Sequence, residues 1–297
     1  MYSRFVWGLW ALVPVAVLTY HFGPGQNAYV LDRAARMQNQ ASDTQTQAQV
    51  AQDAAYAQHL EAIEARRKAF IDPTENNQQV SRDANMMEES AYANAAQAWK
   101  NTANQFEDVL ATLGEAAPKE AQNIRWAKAR ASVRAGEIWT GIDDFESLVS
   151  ELDDAPEHDK VLARAAREEL ATAYYYGARL LRLSGMPPKE WRVESGNARQ
   201  QFRYLAEREV ENAAGNSDAT AAATNYQRNL ELVLNLEQSS LVELQGKPLP
   251  KDSPRIGKCE NRSFCKNKSK KPGSKPSSGP KKDGRNVGLP EDIGPGW

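Results

Sequence analysis

Nowhere between Asp43 and Glu243 does the chain keep up the two-residue apolar–polar alternation of a half-buried strand. Apolar residues recur instead at helical steps, in stretches closed by glycine or proline. That pattern confines the region to an all-α fold and predicts its helices. Residues 41–71 form the first, with Tyr56, Leu60, Ile63 and Phe70 on one face, and Asp72-Pro73 ends it. The polar stretch TENNQQVSRDAN reads as a loop. Further helices are expected over 86–113 (closed by Gly114), 118–135 (opened by Pro118, closed by Gly136) and 139–152 (closed before Pro156). The last three are expected over 159–183 (closed by Gly185-Met-Pro-Pro), 198–213 and 218–243. Short, breaker-rich turns between such helices predict antiparallel hairpins stacked side by side. Alanine supplies much of the apolar share, so the core should be thin and closely packed.

The two ends differ from this body. Residues 5–22 read FVWGLWALVPVAVLTYHF, with no Asp, Glu, Lys or Arg and with Arg4 just before. As a helix they would span about 27 Å, enough for a hydrocarbon core. Trp7, Trp10 and Tyr20 are aromatics of the interfacial kind, and membrane helices tolerate a kink such as Pro14 would give. The following HFGPGQNA offers no clean A-x-A cleavage pattern, so an uncleaved anchor is expected over a cleaved signal peptide. Arg4 favours a cytoplasmic N-terminus, placing the body outside the cytoplasm, in the periplasm of a bacterial cell. The layout is then a flank at 1–4, an anchor at 5–22, a linker at 23–40, a helical domain at 41–245 and a tail at 246–297.

Charge is split along the chain. Residues 247–297 hold 13 Lys/Arg and 5 Asp/Glu, which leaves an acidic body beneath a formal net charge of -2. Rich in Lys, Gly, Pro and Ser, the tail reads as disordered. Its run KNKSKKPGSKP can attract anionic lipid, an acidic partner or nucleic acid, with nucleic acid the least favoured because no aromatics are interleaved for stacking. Both cysteines, Cys259 and Cys265, lie in the tail and can close a small disulfide loop in an oxidising compartment. Their spacing does not suit zinc. The closing LPEDIGPGW has the look of a short linear motif with Trp297 as its anchor.

Within the body, WAKARASVRAGEIWTGIDDFESLVSE resembles a tetratricopeptide repeat (TPR). Ala129 falls at the small site of the first helix and Gly136 at the turn, while Gly141, Phe145 and Leu148 follow at the spacing of the second helix. Leu148 stands where the family has a small residue, and Pro156 comes about three residues late. A frame shifted by 49 residues lays Ala178-Arg179 on Ala129-Arg130, Tyr175 on Trp126 and Gly185 on Gly136. Ala198, Phe202 and Leu205 continue it, and Ala95, Trp99 and Thr102 are a weaker third echo. The resemblance implies a short solenoid over about residues 45–240, with a concave groove lined by the first helix of each hairpin. Carried onto this chain, groove positions are Asn123, Trp126, Arg130, Val133 and Arg134 in one hairpin, and Thr172, Tyr175, Arg179 and Arg182 in the next. Arginine beside an aromatic can hold a peptide carboxylate against a stacking face. On the alternative reading, Arg130 and Arg179 pair with carboxylates of neighbouring helices, and Trp126 and Tyr175 are core. Of Tyr174, Tyr175 and Tyr176, the 3.6-residue turn places at least one in the core and one near the surface.

No phosphate-cradling glycine loop, His-Glu-x-x-His or Gly-x-Ser-x-Gly is present, and no catalytic residue, cofactor or metal is expected. The implied function is a membrane-anchored scaffold for a protein partner. The stretch NLELVLNLEQSSLVELQGKPLP is also similar to the end of anchored TPR-like proteins that accompany MoxR-type ATPases and von Willebrand A-domain proteins, which implies an accessory role in maturation of exported enzymes. A structural envelope protein whose basic tail binds anionic polymer or lipid, and an enzyme with an unrecognised site, are the alternatives.

Overall fold

The computed structural model describes residues 10, 12–15, 17–20, 24–155, 159–212 and 217–255. Among these the regular structure is entirely helical. α1 is Pro24–Ile71, α2 Glu75–Leu113, α3 Pro118–Arg134, α4 Ile138–Asp154, α5 Lys160–Leu183, α6 Pro188–Asn212, α7 Ser217–Gln238 and α8 Leu241–Gly246. From α1 to α7 each helix packs on its neighbours in the chain, and α5 also meets α3 and α8.

Four boundaries depart from the sequence reading. α1 begins at Pro24, so the stretch assigned to a linker at 23–40 is helix from Pro24 onward. TENNQQVSRDAN is helical from Glu75 because Thr74 caps it, its side chain accepting the Asn77 N–H at 3.3 Å. α6 starts ten residues early, at Pro188, whose fixed φ suits a first helical turn. Near the end, Ser239 and Ser240 break the long last helix, and a capping box between Ser240 and Glu243 opens the short α8. The glycine stops fall where expected. Gly136 (φ 87°) and Gly185 (φ 74°) take the left-handed conformation that closes α3 and α5. Glu137 N–H then reaches back to the Ser132 carbonyl at 2.9 Å, and Met186 N–H to Leu181 at 3.0 Å.

α1 and α2 form a long hairpin whose seam lies elsewhere than expected. Ala34, Ala41, Ala48, Ala55 and Ala62 are all buried, one every seventh residue. Leu60 and Phe70 are exposed, while Tyr56 and Ile63 are half-buried. The α2 side answers with Glu88, Tyr92, Ala95, Trp99, Thr102, Phe106, Val109 and Leu113, at alternating steps of four and three. A seven-residue repeat holds one stripe of each helix against its partner along the hairpin. Alanine on α1 lets the backbones approach, and the rings of α2 fill the space beside it.

The block from α3 to α7 has a heavier core, built from Ile138, Trp139, Ile142, Phe145, Leu148, Leu152, Leu170, Tyr174, Trp191, Phe202, Leu205, Tyr226, Val233 and Leu236. Gly141 is pressed so closely on α3 that an added Cβ would lie 2.4 Å from Val133 Cγ2 and 2.9 Å from the Ala129 carbonyl. Ala129, Ala178 and Ala198 are likewise fully buried. Trp99 joins the two regions, sharing a cluster with Ala48 and Ala103 of the hairpin and with Ala131 and Ala135 at the end of α3.

Candidate partner groove

α1, α3 and α5 share a face that is crossed by residues 247–255, a stretch assigned on sequence to the disordered tail. α8 delivers it there: Leu244 is buried in the core, so the chain leaves the helix beside Arg179. Arg179 Nη2 donates to the carbonyls of Leu244 (3.3 Å), Lys247 (3.2 Å) and Pro248 (3.5 Å). Leu249 packs on Ala55, Tyr92 and Ala95, and its N–H donates to His59 Nε2 at 2.9 Å. A turn follows, closed by Ser253 N–H to the Pro250 carbonyl at 3.0 Å. Gln52, fully buried, donates to the carbonyls of Lys251 (3.1 Å) and Ser253 (3.2 Å). The Asp252 carboxylate takes Arg134 Nη2 at 3.1 Å and Gln49 Nε2 at 3.3 Å. Lys251 meets Asp53 at 3.1 Å, and Arg255 meets Glu88 at 3.5 Å.

Glu88 is the buried centre of the hairpin end of this site. Its carboxylate takes His59 Nδ1 at 2.8 Å and Arg66 at 3.1 Å besides Arg255. Because His59 Nε2 accepts from Leu249, the ring hydrogen sits on Nδ1 and points at Glu88. The tyrosine phenol of Tyr92, beside Glu88, is pushed well above its ordinary value by burial, and Glu88 adds to the shift.

The expected groove residues divide into those that meet this segment and those that do not. Arg134 and Arg179 do, and both are almost wholly buried. Arg134 also stacks over Trp99, 5.0 Å from the ring centre. Val133 is buried under Gly141, facing α4. Arg182 reaches the Ser239 carbonyl and stacks on Trp191 at 4.7 Å. Arg130 lies over Trp126 at 5.3 Å and pairs with Glu169 of α5 at 3.0 Å, as the alternative reading had it. Arg179 departs from that reading, since its acceptors are carbonyls. Asn123 is exposed and bonds within its own helix, and so does the half-buried Thr172.

All three tyrosines of the 174–176 run are buried, so none takes the surface position expected for at least one. The reason is that α5 is covered on several sides: Tyr174 reaches Glu146 of α4, Tyr175 tilts against Tyr176 at 6.0 Å, and Tyr176 lies near Asp252 and Glu169. Burial pushes the Tyr176 phenol up, with Asp252 and Glu169 adding to the shift. Burial also raises the Glu169 carboxyl, against the pull of Arg130 and Arg134, and lowers the Arg130 guanidinium.

Among the described residues of this face, the buried guanidinium nitrogens without a partner are Arg134 Nη1, Arg179 Nε and Arg182 Nη1 on the helices and Arg255 Nη1 on the segment. The α4–α6 side has a second basic cleft, with Lys160, Arg164, Arg167 and Arg208 around Tyr204. There Arg164 is already matched by Glu209 at 3.0 Å and Arg167 by Asp153.

Cys259, Cys265 and Trp297 lie outside the described residues, as does part of the 5–22 segment. Among the described residues no helix is long and apolar enough to cross a membrane. Trp10, Leu12, Val13, Val15, Val17, Leu18 and Tyr20 are exposed. Comparison with family models, curated proteins and solved structures finds no match.

Proposed function

We propose that the chain is a membrane-held scaffold whose TPR-like stack of hairpins binds a protein partner on the face shared by α1, α3 and α5. The observation that carries this reading is the set of arginines there: Arg134 and Arg179 are buried, aimed at residues 247–255, and still hold unpartnered donors. A buried guanidinium without full hydrogen bonding is expensive, and a scaffold keeps such groups where a ligand completes them. Packing of each helix on its chain neighbour supports an open stack rather than a closed bundle. The exposed apolar side chains between Trp10 and Tyr20 support a segment that is covered by lipid, with 5–22 as the anchor, and Arg4 before it supports a body on the periplasmic side of a bacterial membrane.

The similarity of residues 229–250 to anchored accessory proteins makes MoxR-type ATPases and von Willebrand A-domain proteins the partners to try first. The test is crosslinking of the full chain in a membrane fraction beside an Arg134→Ala/Arg179→Ala variant, with circular dichroism to confirm that both are folded. Specific proteins retained by the wild type and lost by the variant support the scaffold. An identical retained set sinks it, and a set released from both by high salt points to the basic tail instead.

A further inference from the structure

Residues 247–255 are held in the way a bound peptide would be held. Part of the recognition ignores sequence: Arg179 and Gln52 read carbonyls, and His59 reads one N–H. Lys251 with Asp53 is one contact that reads a side chain, and three others fall at steps of three residues. Leu249 enters the apolar patch of Ala55, Tyr92 and Ala95, Asp252 meets Arg134, and Arg255 meets Glu88. Pro248, Pro250 and Pro254 stiffen the segment, so little chain entropy is lost when it is seated.

The fit is incomplete. The segment brings one carboxylate to Arg134 and leaves Arg134 Nη1, Arg179 Nε and Arg182 Nη1 unanswered. At its start it presents the wrong charge: Lys247 Nζ bonds Ser239 Oγ at 3.2 Å, beside the Ser239 carbonyl that Arg182 holds. A ligand with a carboxylate in place of Lys247 would face Arg182 and supply an acceptor that the resident segment lacks.

We infer that residues 247–255 are a resident pseudoligand, and that the groove's ligand is a proline-containing, more acidic segment of a partner protein that takes the same turn and binds by displacing it. The inference rests on the scaffold reading and names the chemistry of its ligand. The ligand carries an apolar residue, a carboxylate three positions on and a base three further, with a second carboxylate ahead of the apolar residue. The resident segment shields buried polar groups of α1 and α3 while the groove is empty. It also sets a threshold, because a tethered competitor acts at an effective concentration on the order of millimolar.

The test uses the full chain and a fluorescein-labelled peptide of residues 246–256, followed by fluorescence anisotropy. The wild type should bind the peptide weakly. An Asp252→Ala/Arg255→Ala variant, which loosens the resident segment, should bind it at least about tenfold more tightly, since the competitor is then weakened. A peptide carrying Lys247→Glu should bind that variant several-fold more tightly than the native peptide, consistent with about one added charge-assisted hydrogen bond. Adding Arg134→Ala or, as a change that preserves packing, Gln52→Leu should abolish the gain. The inference is overturned if the loosened variant binds no better than wild type, if Lys247→Glu weakens the peptide, or if neither groove substitution matters. Growth of dimer with concentration in the loosened variant would assign the groove to the same segment of a second copy instead. Partner capture without peptide binding would leave the scaffold standing and remove the pseudoligand; peptide binding without partner capture would do the reverse.

Discussion

In α1 the buried stripe is alanine at every seventh position, whereas in α4 it is Ile138, Ile142, Phe145, Leu148 and Leu152. Both stripes belong to helices that pack on their neighbours, but they remove very different apolar areas from water. Burying a large aliphatic or aromatic side chain contributes roughly 1.5–3 kcal/mol, and alanine far less. The hairpin therefore draws its fully buried large apolar residues from α2, with Met37, Tyr56 and Ile63 of α1 only half-buried, while every helix of the α3–α7 block contributes them. The block buries Ser132, Arg134, Arg179, Glu194, Ser195 and Glu209, and the hairpin, though thin, buries four polar side chains of its own, Gln52, His59, Glu88 and Thr102. Two of these, Gln52 and His59, are satisfied by residues 247–255. A thin seam that also buries polar groups is a poor arrangement for stability alone. It suits a surface whose hydrogen bonds are offered to an extended chain.

The largest expected effect tests whether the two regions stand or fall together. Phe145→Ala, inside the block, should cost about 3–5 kcal/mol, from lost burial and the cavity left behind. Trp99→Ala should cost about the same but differ in kind, because Trp99 packs the hairpin on the end of α3, beside the second contact that Phe106 and Val109 make with Ile124. Urea denaturation followed by far-ultraviolet circular dichroism should stay a single transition for Phe145→Ala and split into two for Trp99→Ala, the earlier one being loss of the hairpin. A single transition in both would mean that Trp99 is not the coupling residue.

How much of this was legible follows the same division. In the block, Gly136 and Gly185 mark chain reversals whose backbone demands glycine, and Ala129, Gly141, Phe145, Ala178, Ala198 and Phe202 are all buried at the spacing read from the sequence. In the hairpin, Tyr56, Leu60, Ile63 and Phe70 outweighed the alanines in any apolar count, yet the alanines form the seam. Alanine hardly contrasts with its polar neighbours, so only its seven-residue period could have revealed it. For the groove, the Arg–aromatic echo 49 residues apart pointed to Arg130 and Arg179, of which only Arg179 meets residues 247–255, while Arg134 came from the groove positions that the TPR resemblance implies. Gln52, His59 and Glu88 were missed because they sit in the hairpin, outside the two clearest repeats. Residues 247–255 were missed because they bind largely through carbonyls, which every sequence has. Their signal was the density of proline around Asp252.

A second pair of substitutions sharpens the contrast between thin and dense packing. Ala55→Leu should cost about 1–3 kcal/mol, because a seam of buried alanines has no room for three more carbons. The same change at the exposed Ala57 should be close to neutral, which makes it the internal control. Gly141→Ala should fall in the same range or above, since one of its neighbours is the Ala129 backbone carbonyl. Chemical denaturation of the three variants gives the order. If Ala55→Leu is tolerated as well as Ala57→Leu, the hairpin is loose and alanine is not setting its spacing.

Glu88→Gln separates charge from shape at the hairpin end of the groove. The amide fills the same space but withdraws the negative charge shared by His59, Arg66 and Arg255. A loss of about 1–3 kcal/mol is expected from weaker hydrogen bonding to charged partners. Arg255 should also become more accessible, so trypsin should cleave after it faster in the variant than in the wild type. Unchanged cleavage would show that Arg255 is held by something other than Glu88.

The smallest effect concerns the far end of the hairpin, where Phe70 and Ile71 are exposed and α2 is polar on nearly every side. Thr74 there satisfies one of the orphan N–H groups of α2. Replacing a threonine N-cap by alanine costs about 0.5–2 kcal/mol where the helix end is coupled to the fold. This end touches neither the block nor residues 247–255, so fraying should absorb most of that cost locally. Thr74→Ala should then speed amide exchange over the first turns of α2 and leave the global denaturation midpoint almost unmoved. A global loss near the upper value would mean that the hairpin unfolds as one unit from tip to groove, and that its thin seam is more cooperative than its alanines imply.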